Sequence, residues 1–193
     1  MKKYSIFCFL LVALLSCLTG CKKSTTDTPV KNIETLPPIT QNGANTFGCL
    51  LNGKIWLPKG FDGNFTNSRI NIDPTFMDGD LTVRVYRIID GIKYTMTISS
   101  DSIKSTGTYL FKTLSRAKFR FGKYKSDLSI EYCNTDNGNL GGNPNNVEGF
   151  IKITRYDLVN RIFSGEFELA FNNDDCGYGN QIKLSGGRFD YKL

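Results

Sequence analysis

Carboxylates and cysteines are the side chains of this sequence that could carry chemistry, because the chain contains no histidine. Without histidine, Ser-His-Asp and Cys-His catalysis, His-ligated zinc and histidine proton transfer are excluded. Glu166 and Glu168 are two residues apart in a strand-like segment, so they would share a face and could act as acid and base on a polysaccharide. The apolar residues that alternate with them favour an ordinary solvated strand face. We therefore expect no catalytic residue and no enzymatic activity.

Metal binding has two weak candidates. The segment from Asp73 to Asp80 carries three carboxylates that could offer oxygen ligands to Ca²⁺. It lacks the spacing and closing glutamate of an EF-hand, so a turn before a strand is the simpler interpretation. Three cysteines without Cys-x-x-Cys spacing do not indicate zinc. The sequence therefore predicts neither a metal nor a cofactor.

The segment RAKFRFGKYK, residues 116–125, interleaves basic and aromatic side chains. Arg116, Lys118 and Arg120 would share one face and could bind an anionic polymer or phosphate head groups. The alternative, which we favour, is an amphipathic strand with its two phenylalanines in the core and its basic side in water. The net charge of +6 is modest and has no dense basic run behind it, so we expect no nucleic-acid partner.

The N-terminus has the features of a secretory signal. Lys2 and Lys3 precede an apolar run, residues 6–18, that is too short to span a bilayer. Its end, Leu18-Thr19-Gly20-Cys21, resembles the lipobox of bacterial lipoproteins. That resemblance implies cleavage before Cys21 and lipid attachment to its side chain, which would anchor the chain to a membrane.

The chain thus divides into three predicted segments. Residues 1–20 form the lipoprotein signal peptide, and residues 21–45 form a flexible tether that is rich in Lys, Thr, Pro and Asn and poor in large apolar residues. Residues 46–193 have the size of one β domain. Membrane attachment through Cys21 would place this domain in the cell envelope, and we expect the outer membrane, with the domain facing the periplasm or the cell surface.

Three cysteines remain after Cys21, namely Cys49, Cys133 and Cys176. An oxidising compartment favours disulfide pairing of cysteines, and with three cysteines one would remain unpaired. A Cys133–Cys176 disulfide would join two loops that flank a long hairpin. Cys49 would then be a buried free thiol on the first strand.

Period-two alternation predicts an all-β domain. Leu81, Val83 and Val85 would share one face, and the next strand repeats the pattern after the turn dipeptide Asp90-Gly91. A second long hairpin is predicted from Glu148 to Phe171. Further strand candidates are 48–57, 68–73, 108–112, 116–122, 126–133 and 181–192. Many short strands with punctuated turns favour a single antiparallel β-sandwich, with a closed β-barrel as the alternative.

Motifs at both ends of the domain resemble those of a family of small uncharacterised Bacteroidota-type lipoproteins. They are GANTFGC followed by NGK near residue 50, SGEF at 164–167 and GRFD at 187–190. The resemblance implies envelope location and a β fold, and no activity. The motifs also have physical interpretations: Asn52-Gly53 is suited to a tight turn, Trp56 to the core, Gly165 to a bulge or close contact, and Arg188 to an ion pair with Asp157 or Asp190.

These observations predict a lipid-anchored, non-catalytic binding or structural module of the cell envelope. Its long loops, rich in Asn, Asp and Gly, suit a glycan or an envelope protein as partner. Two alternatives remain open at this point. One is a lipocalin-like carrier of a small apolar ligand, and the other is a carboxylate-dependent polysaccharide hydrolase.

Overall fold

The computed structural model describes residues 33–63, 66–76, 79–113, 118–124, 130–134, 147–172 and 181–193. These residues form eleven strands, and a short 3-10 turn, Phe111–Thr113, follows the sixth. The strands are β1 (Thr46–Leu51), β2 (Lys54–Trp56), β3 (Ser68–Asp73), β4 (Asp80–Ile89), β5 (Ile92–Ser100), β6 (Gly107–Leu110), β7 (Lys118–Tyr124), β8 (Ile130–Asn134), β9 (Val147–Asp157), β10 (Ile162–Asn172) and β11 (Gln181–Lys192). The all-β class is confirmed.

The strands form two antiparallel sheets. Sheet A contains six strands in the order β2-β1-β11-β10-β9-β6, and sheet B contains five in the order β3-β4-β5-β7-β8. Neither sheet closes on itself among the strands that the structure describes. The barrel alternative is therefore wrong, and the β-sandwich is confirmed.

Two tight turns have the dipeptides that the sequence indicated. Asn52 and Gly53, with φ of 46° and 78°, join β1 to β2, and Asp90 and Gly91, with φ of 49° and 76°, join β4 to β5. Two successive positive φ angles match the twist of flanking strands in a hairpin. Glycine and asparagine or aspartate adopt these angles at low cost, so local sequence determines both hairpins.

A bulge in β9 adjusts the register beside Gly165. Ser164 pairs with Arg155 while Gly165 pairs with Ile153, so one residue of β9 is left over between them. Gly165 also packs closely, since a Cβ built on it would lie 2.6 Å from Cζ of Phe189. Both interpretations of this glycine are confirmed.

The core lies between the sheets, and its side chains alternate along the strands. In β4, Leu81, Val83 and Val85 are buried, as predicted. Sheet A contributes an aromatic group in which Phe47 stacks on Phe167 at 5.5 Å and meets Trp56 edge-on at 6.1 Å. Burial of each such large side chain contributes roughly 1.5–3 kcal/mol. Trp56 is confirmed as a core residue.

The folded unit begins earlier than the sequence suggested. Contacts divide the chain after Ile33, so residues 34–45, expected to be tether, belong to the unit Glu34–Leu193. We call residues 34–45 the strap. It lies on the outer face of sheet A, where Gly48 gives it room: a Cβ there would lie 2.6 Å from Cδ of Pro37. The predicted signal and residues 21–32 lie outside the described residues.

Candidate functional site

Of the three cysteines predicted to carry covalent chemistry, the structure describes one. Cys21, the expected lipid-attachment residue, and Cys176, one half of the expected disulfide, lie outside the described residues. Cys133 occupies a position in β8, paired with position 121 of β7. The lipid anchor and the Cys133–Cys176 bridge therefore stay predictions.

Cys49 is a free thiol with no exposed surface. Burial in the apolar core disfavours the thiolate and raises its pKa to about 12. The thiol is thus protonated at neutral pH and shielded from reagents, which makes it a packing residue. The prediction for Cys49 is confirmed.

The strap is held to sheet A through the carboxylate of Asp190, on β11. Oδ2 accepts hydrogen bonds from Thr40 Oγ1 at 2.7 Å and from the backbone amides of Asn42 and Ala44, both at 3.1 Å. Oδ1 accepts from the Gly43 amide at 2.9 Å and from Ser164 Oγ of β10 at 2.7 Å. Five donors from two elements therefore converge on one buried carboxylate.

The electrostatics of Asp190 follow from this arrangement. Its burial, which leaves 1% of the residue exposed, would by itself raise the carboxyl pKa. The hydrogen bonds from Ser164, the Ala44 and Gly43 amides and Thr40 outweigh that effect and lower the pKa to about 2. Asp190 is therefore an ionised structural anchor at neutral pH.

Three arginines hold the strap elsewhere. At its start, Glu34 accepts two hydrogen bonds from Arg87, at 2.9 and 3.1 Å, and a third from Lys59. The Arg87 hydrogen bonds are the main reason that the pKa of Glu34 is lowered. Arg155 donates to the carbonyl oxygen of Gln41.

Arg188 donates to two carbonyl oxygens, those of Pro37 and Gly186, both at 3.1 Å. Its partners are thus backbone groups, and Asp157 pairs with Arg155 at 2.7 Å instead. The ion pair predicted for Arg188 is wrong. The reason is tertiary: the strap covers the face on which Arg188 and Asp190 lie, and it supplies partners for both.

A shallow cleft of about 250 Å³ lies where the strap passes the start of β1 and β3. Thr35 and Pro37 of the strap form part of its lining, and Ser68 of β3, hydrogen-bonded to the Tyr191 hydroxyl, forms another part. The remaining lining residues are Asn45, Thr46, Phe47, Leu57, Pro58 and Asn67. All of these side chains are uncharged, so the cleft offers hydrogen bonds and apolar contacts without acid–base groups.

The carboxylates that could have formed a hydrolytic pair have separate environments. Glu166 lies 3.6 Å from Lys152 of the neighbouring strand, with a third of its side chain exposed. Glu168 is exposed and lines a different surface depression with Glu148 and Lys183. Both residues lie on the outer face of sheet A, as the alternation of β10 predicted.

Asp73 closes a turn. Its Oδ1 accepts hydrogen bonds from the Thr75 amide and hydroxyl and from the Phe76 amide, at 2.7–3.0 Å. These bonds, with that of the Thr75 hydroxyl the largest, lower the pKa of the carboxyl. Among the described residues, no group of three or more Cys, Asp or Glu side chains is placed to hold a metal ion.

The basic segment lies in β7, between β5 and β8 of sheet B. Register pairs positions 119 and 121 with the buried residues Ile98 and Met96. Lys118 and Arg120 therefore occupy positions on the opposite, outer face of the sheet, as the amphipathic interpretation predicts.

This outer face of sheet B has a feature that the sequence did not reveal. Arg69 of β3 pairs with Arg84 of β4, Arg84 with Thr97 of β5, and Thr97 with Arg120 of β7. Three arginines thus occupy one row that crosses four strands, and we call this row the arginine row. Arg69 and Arg84 are exposed. Sequence analysis missed the row because its members come from separate strands.

Fold and surfaces together define an all-β sandwich with a strapped sheet and a basic sheet face. No family model, curated protein or solved structure matches the chain. Within the described residues, no helix is long and apolar enough to cross a membrane.

Proposed function

We propose that this protein is a lipid-anchored module of the cell envelope that binds a partner there without catalysing a reaction. Lipid on Cys21 attaches the chain to a membrane. Lys22 and Lys23, rather than an acidic residue, follow that cysteine and favour the outer membrane. The domain then faces the periplasm or the cell surface.

The observation that supports this proposal most directly is where the fold begins. The strap fixes the chain from Glu34 onward, so only residues 22–33 separate the folded unit from Cys21. A connection of this length spans at most roughly 45 Å when fully extended. Such a short connection suits a domain that works beside the membrane surface.

Binding is favoured over catalysis by the state of the polar groups. The carboxylate of Asp190, which is buried and contacts the strap, already accepts hydrogen bonds from five donors. Glu166 is engaged by Lys152. The interior that a lipocalin-like carrier would keep open is filled by packed side chains such as Phe167 and Met96. The proposal therefore rests on surface recognition, and we advance neither alternative further.

Metabolic labelling tests the anchor. Cells that express the full chain and receive labelled palmitate should incorporate label, and Cys21→Ala should abolish incorporation. Cys17→Ala, which removes a cysteine of the signal and leaves the lipobox intact, is the matched control and should keep full labelling. Label retained by Cys21→Ala would overturn the anchor.

Affinity capture tests the binding role. The lipidated full chain, incubated with envelope fractions, should retain a glycan or an envelope protein that survives washing. A chain that is labelled and correctly sorted but retains neither would contradict the binding role while leaving the anchor in place.

A further inference from the structure

We propose that the shallow cleft beside the strap binds one uncharged pyranose unit of a glycan. We call this cleft, which lies between the strap and the starts of β1 and β3, the strap cleft. The inference rests on the proposed function, because it names the class of ligand that the envelope module recognises. That class is a neutral sugar ring, with hydroxyl groups around an otherwise apolar framework.

The size of the strap cleft suits a single sugar ring. Its volume is about 250 Å³. About eight water molecules fill such a space in the liquid, and sites for drug-sized ligands begin at about 300 Å³. A pyranose ring therefore fits, whereas the rest of a glycan chain would extend into solvent from the open side of the cleft.

The composition of the lining favours a ligand that is both polar and uncharged. Five of the nine lining residues carry hydroxyl or amide side chains, four are apolar, and none is charged. A charged ligand would lose hydration here without meeting a counter-ion. A purely apolar ligand would cover the polar groups and leave them unpaired. A sugar avoids both costs, because its hydroxyls form hydrogen bonds while the C–H groups on its ring faces contact apolar side chains.

Two asparagines of the lining are each held at one end of the side-chain amide. Asn45 Oδ1 accepts a hydrogen bond from the backbone amide of Lys192 at 3.1 Å. Asn67 Nδ2 donates to the carbonyl oxygen of Gly60 at 3.2 Å. The opposite ends, Asn45 Nδ2 and Asn67 Oδ1, are a donor and an acceptor. Together they match a sugar hydroxyl, which can accept and donate at the same time.

Ser68 adds a hydroxyl that is fixed from the protein side. Its Oγ is hydrogen-bonded to the hydroxyl of Tyr191, which is buried. A hydroxyl has one donor and two acceptor lone pairs, so Ser68 can form a second hydrogen bond towards the cleft. Thr46, at the start of β1, contributes a further hydroxyl to the lining.

The walls of the strap cleft are joined before any ligand arrives. Glu34, which precedes the strap residues of the lining, accepts a hydrogen bond from Lys59, which follows the opposite wall, at 3.1 Å. Gly48 lies against both walls: a Cβ built on it would lie 2.6 Å from Cδ of Pro37 and 2.8 Å from Cδ2 of Leu57. A preformed cleft lowers the ordering cost of binding, which matters for a ligand as small as one ring.

A lipid acyl chain fits this site less well than a sugar. An acyl chain needs a long apolar channel, whereas Phe47, the aromatic residue of the lining, is 4% exposed. Its ring stacks on Phe167 at 5.5 Å and meets Trp56 at 6.1 Å, so packed side chains separate the cleft from the interior. The strap cleft is therefore a surface site for a compact ligand.

NMR titration of the mature, ¹⁵N-labelled full chain in micelles of a zwitterionic detergent tests the site. The probes are the methyl glycosides of glucose, galactose and N-acetylglucosamine. Glucuronate is a ring of the same size with one charge, and cyclohexanol is a ring with a single hydroxyl. We expect at least one methyl glycoside to bind with a Kd on the order of 1 mM, from the usual affinity per atom of small ligands. The amide signals of Thr46, Phe47, Leu57 and Ser68 should shift most.

Three variants assign the binding to the strap cleft. Thr46→Val removes a hydroxyl, keeps the shape of the side chain and should weaken binding about 2–10-fold. The matched control is Thr97→Val, the same change at a half-buried strand position in β5 of sheet B, and it should keep the affinity of the unaltered chain. Thr35→Trp fills the cleft from an exposed position of the strap and should abolish binding. A well-dispersed spectrum confirms that each variant is folded.

Several outcomes would overturn the inference. They are the absence of shifts with every methyl glycoside, glucuronate or cyclohexanol binding as tightly as the glycosides, equal losses in Thr46→Val and Thr97→Val, and shifts at these residues with tetra-alanine in place of the sugars. The proposed function fails separately, through palmitate labelling that persists in Cys21→Ala. A chain that captures an envelope protein but binds no sugar would contradict the inference and leave the proposed function in place.

Discussion

Replacement of Asp190 by asparagine should release the strap from sheet A. The substitution keeps the size of the side chain but removes its charge and one acceptor oxygen. If the asparagine oxygen keeps the three donors now on Oδ2, its amide group faces the Gly43 amide and Ser164 Oγ. The Ser164 hydroxyl can rotate to accept, whereas the Gly43 N–H loses its acceptor.

The magnitude follows from these contacts. A hydrogen bond to a charged group stabilises a protein by about 1.5–3 kcal/mol, and an orphaned buried donor costs about 1–3 kcal/mol. We therefore expect Asp190→Asn to lower the free energy of unfolding by about 3 kcal/mol. For a domain of this size, that corresponds to a Tm lower by about 6–12 °C.

Urea denaturation and amide hydrogen exchange on the full chain test this prediction together. In Asp190→Asn, the amides of Asn42, Gly43 and Ala44 should lose their protection from exchange. The amides of β4 and β5 should lose only as much protection as the lower free energy of unfolding accounts for. The matched control is Asp73→Asn, the same substitution at a carboxylate that caps a turn outside the strap. Strap amides that stay protected in Asp190→Asn would refute the anchoring role.

The pKa of Asp190 adds a signature in pH. Its folded value of about 2 lies below the ordinary value of 3.8, so the folded state binds the proton less tightly than the unfolded state. The resulting stabilisation is complete above about pH 4 and is lost as pH falls through about 2, with an amplitude of about 2 kcal/mol. The difference in stability between the unaltered chain and Asp190→Asn should narrow by that amount over this range.

Three further predictions concern cysteines and close packing. Because burial raises the Cys49 pKa to about 12, a Cys133→Ser, Cys176→Ser variant should react with a thiol reagent at Cys49 only after unfolding; reaction in the native state would contradict its burial. Non-reducing peptide mapping should recover Cys133 and Cys176 in one linked peptide pair, and separate free peptides would rule out the bridge. Gly165→Ala should lower stability by about 1–3 kcal/mol in chemical denaturation, since its Cβ would lie 2.6 Å from Phe189; an unchanged midpoint would contradict that packing.

Local patterns predicted much of the fold. The hairpins at Asn52-Gly53 and Asp90-Gly91 and the long β9–β10 hairpin were predictable, because their turn chemistry and alternation are properties of contiguous residues. Pairing of β1 with β11 and of β6 with β9 was not, because those partners are distant in sequence. Residues 34–45 contain few large apolar side chains, and for that reason the sequence predicted a tether there. Hydrogen bonds nevertheless hold this segment in place.

Sequence by itself determined the all-β class, the inward faces of the strands, the burial of Cys49 and Trp56, and the exclusion of histidine chemistry. Each of these depends on residue type or on short-range periodicity. Tertiary structure alone decided that Asp190 anchors the strap and that Arg69, Arg84 and Arg120 form one row. Both arrangements join residues from separate elements. The register between strands, and the covering of one face of sheet A by the strap, arise only when those elements pack together.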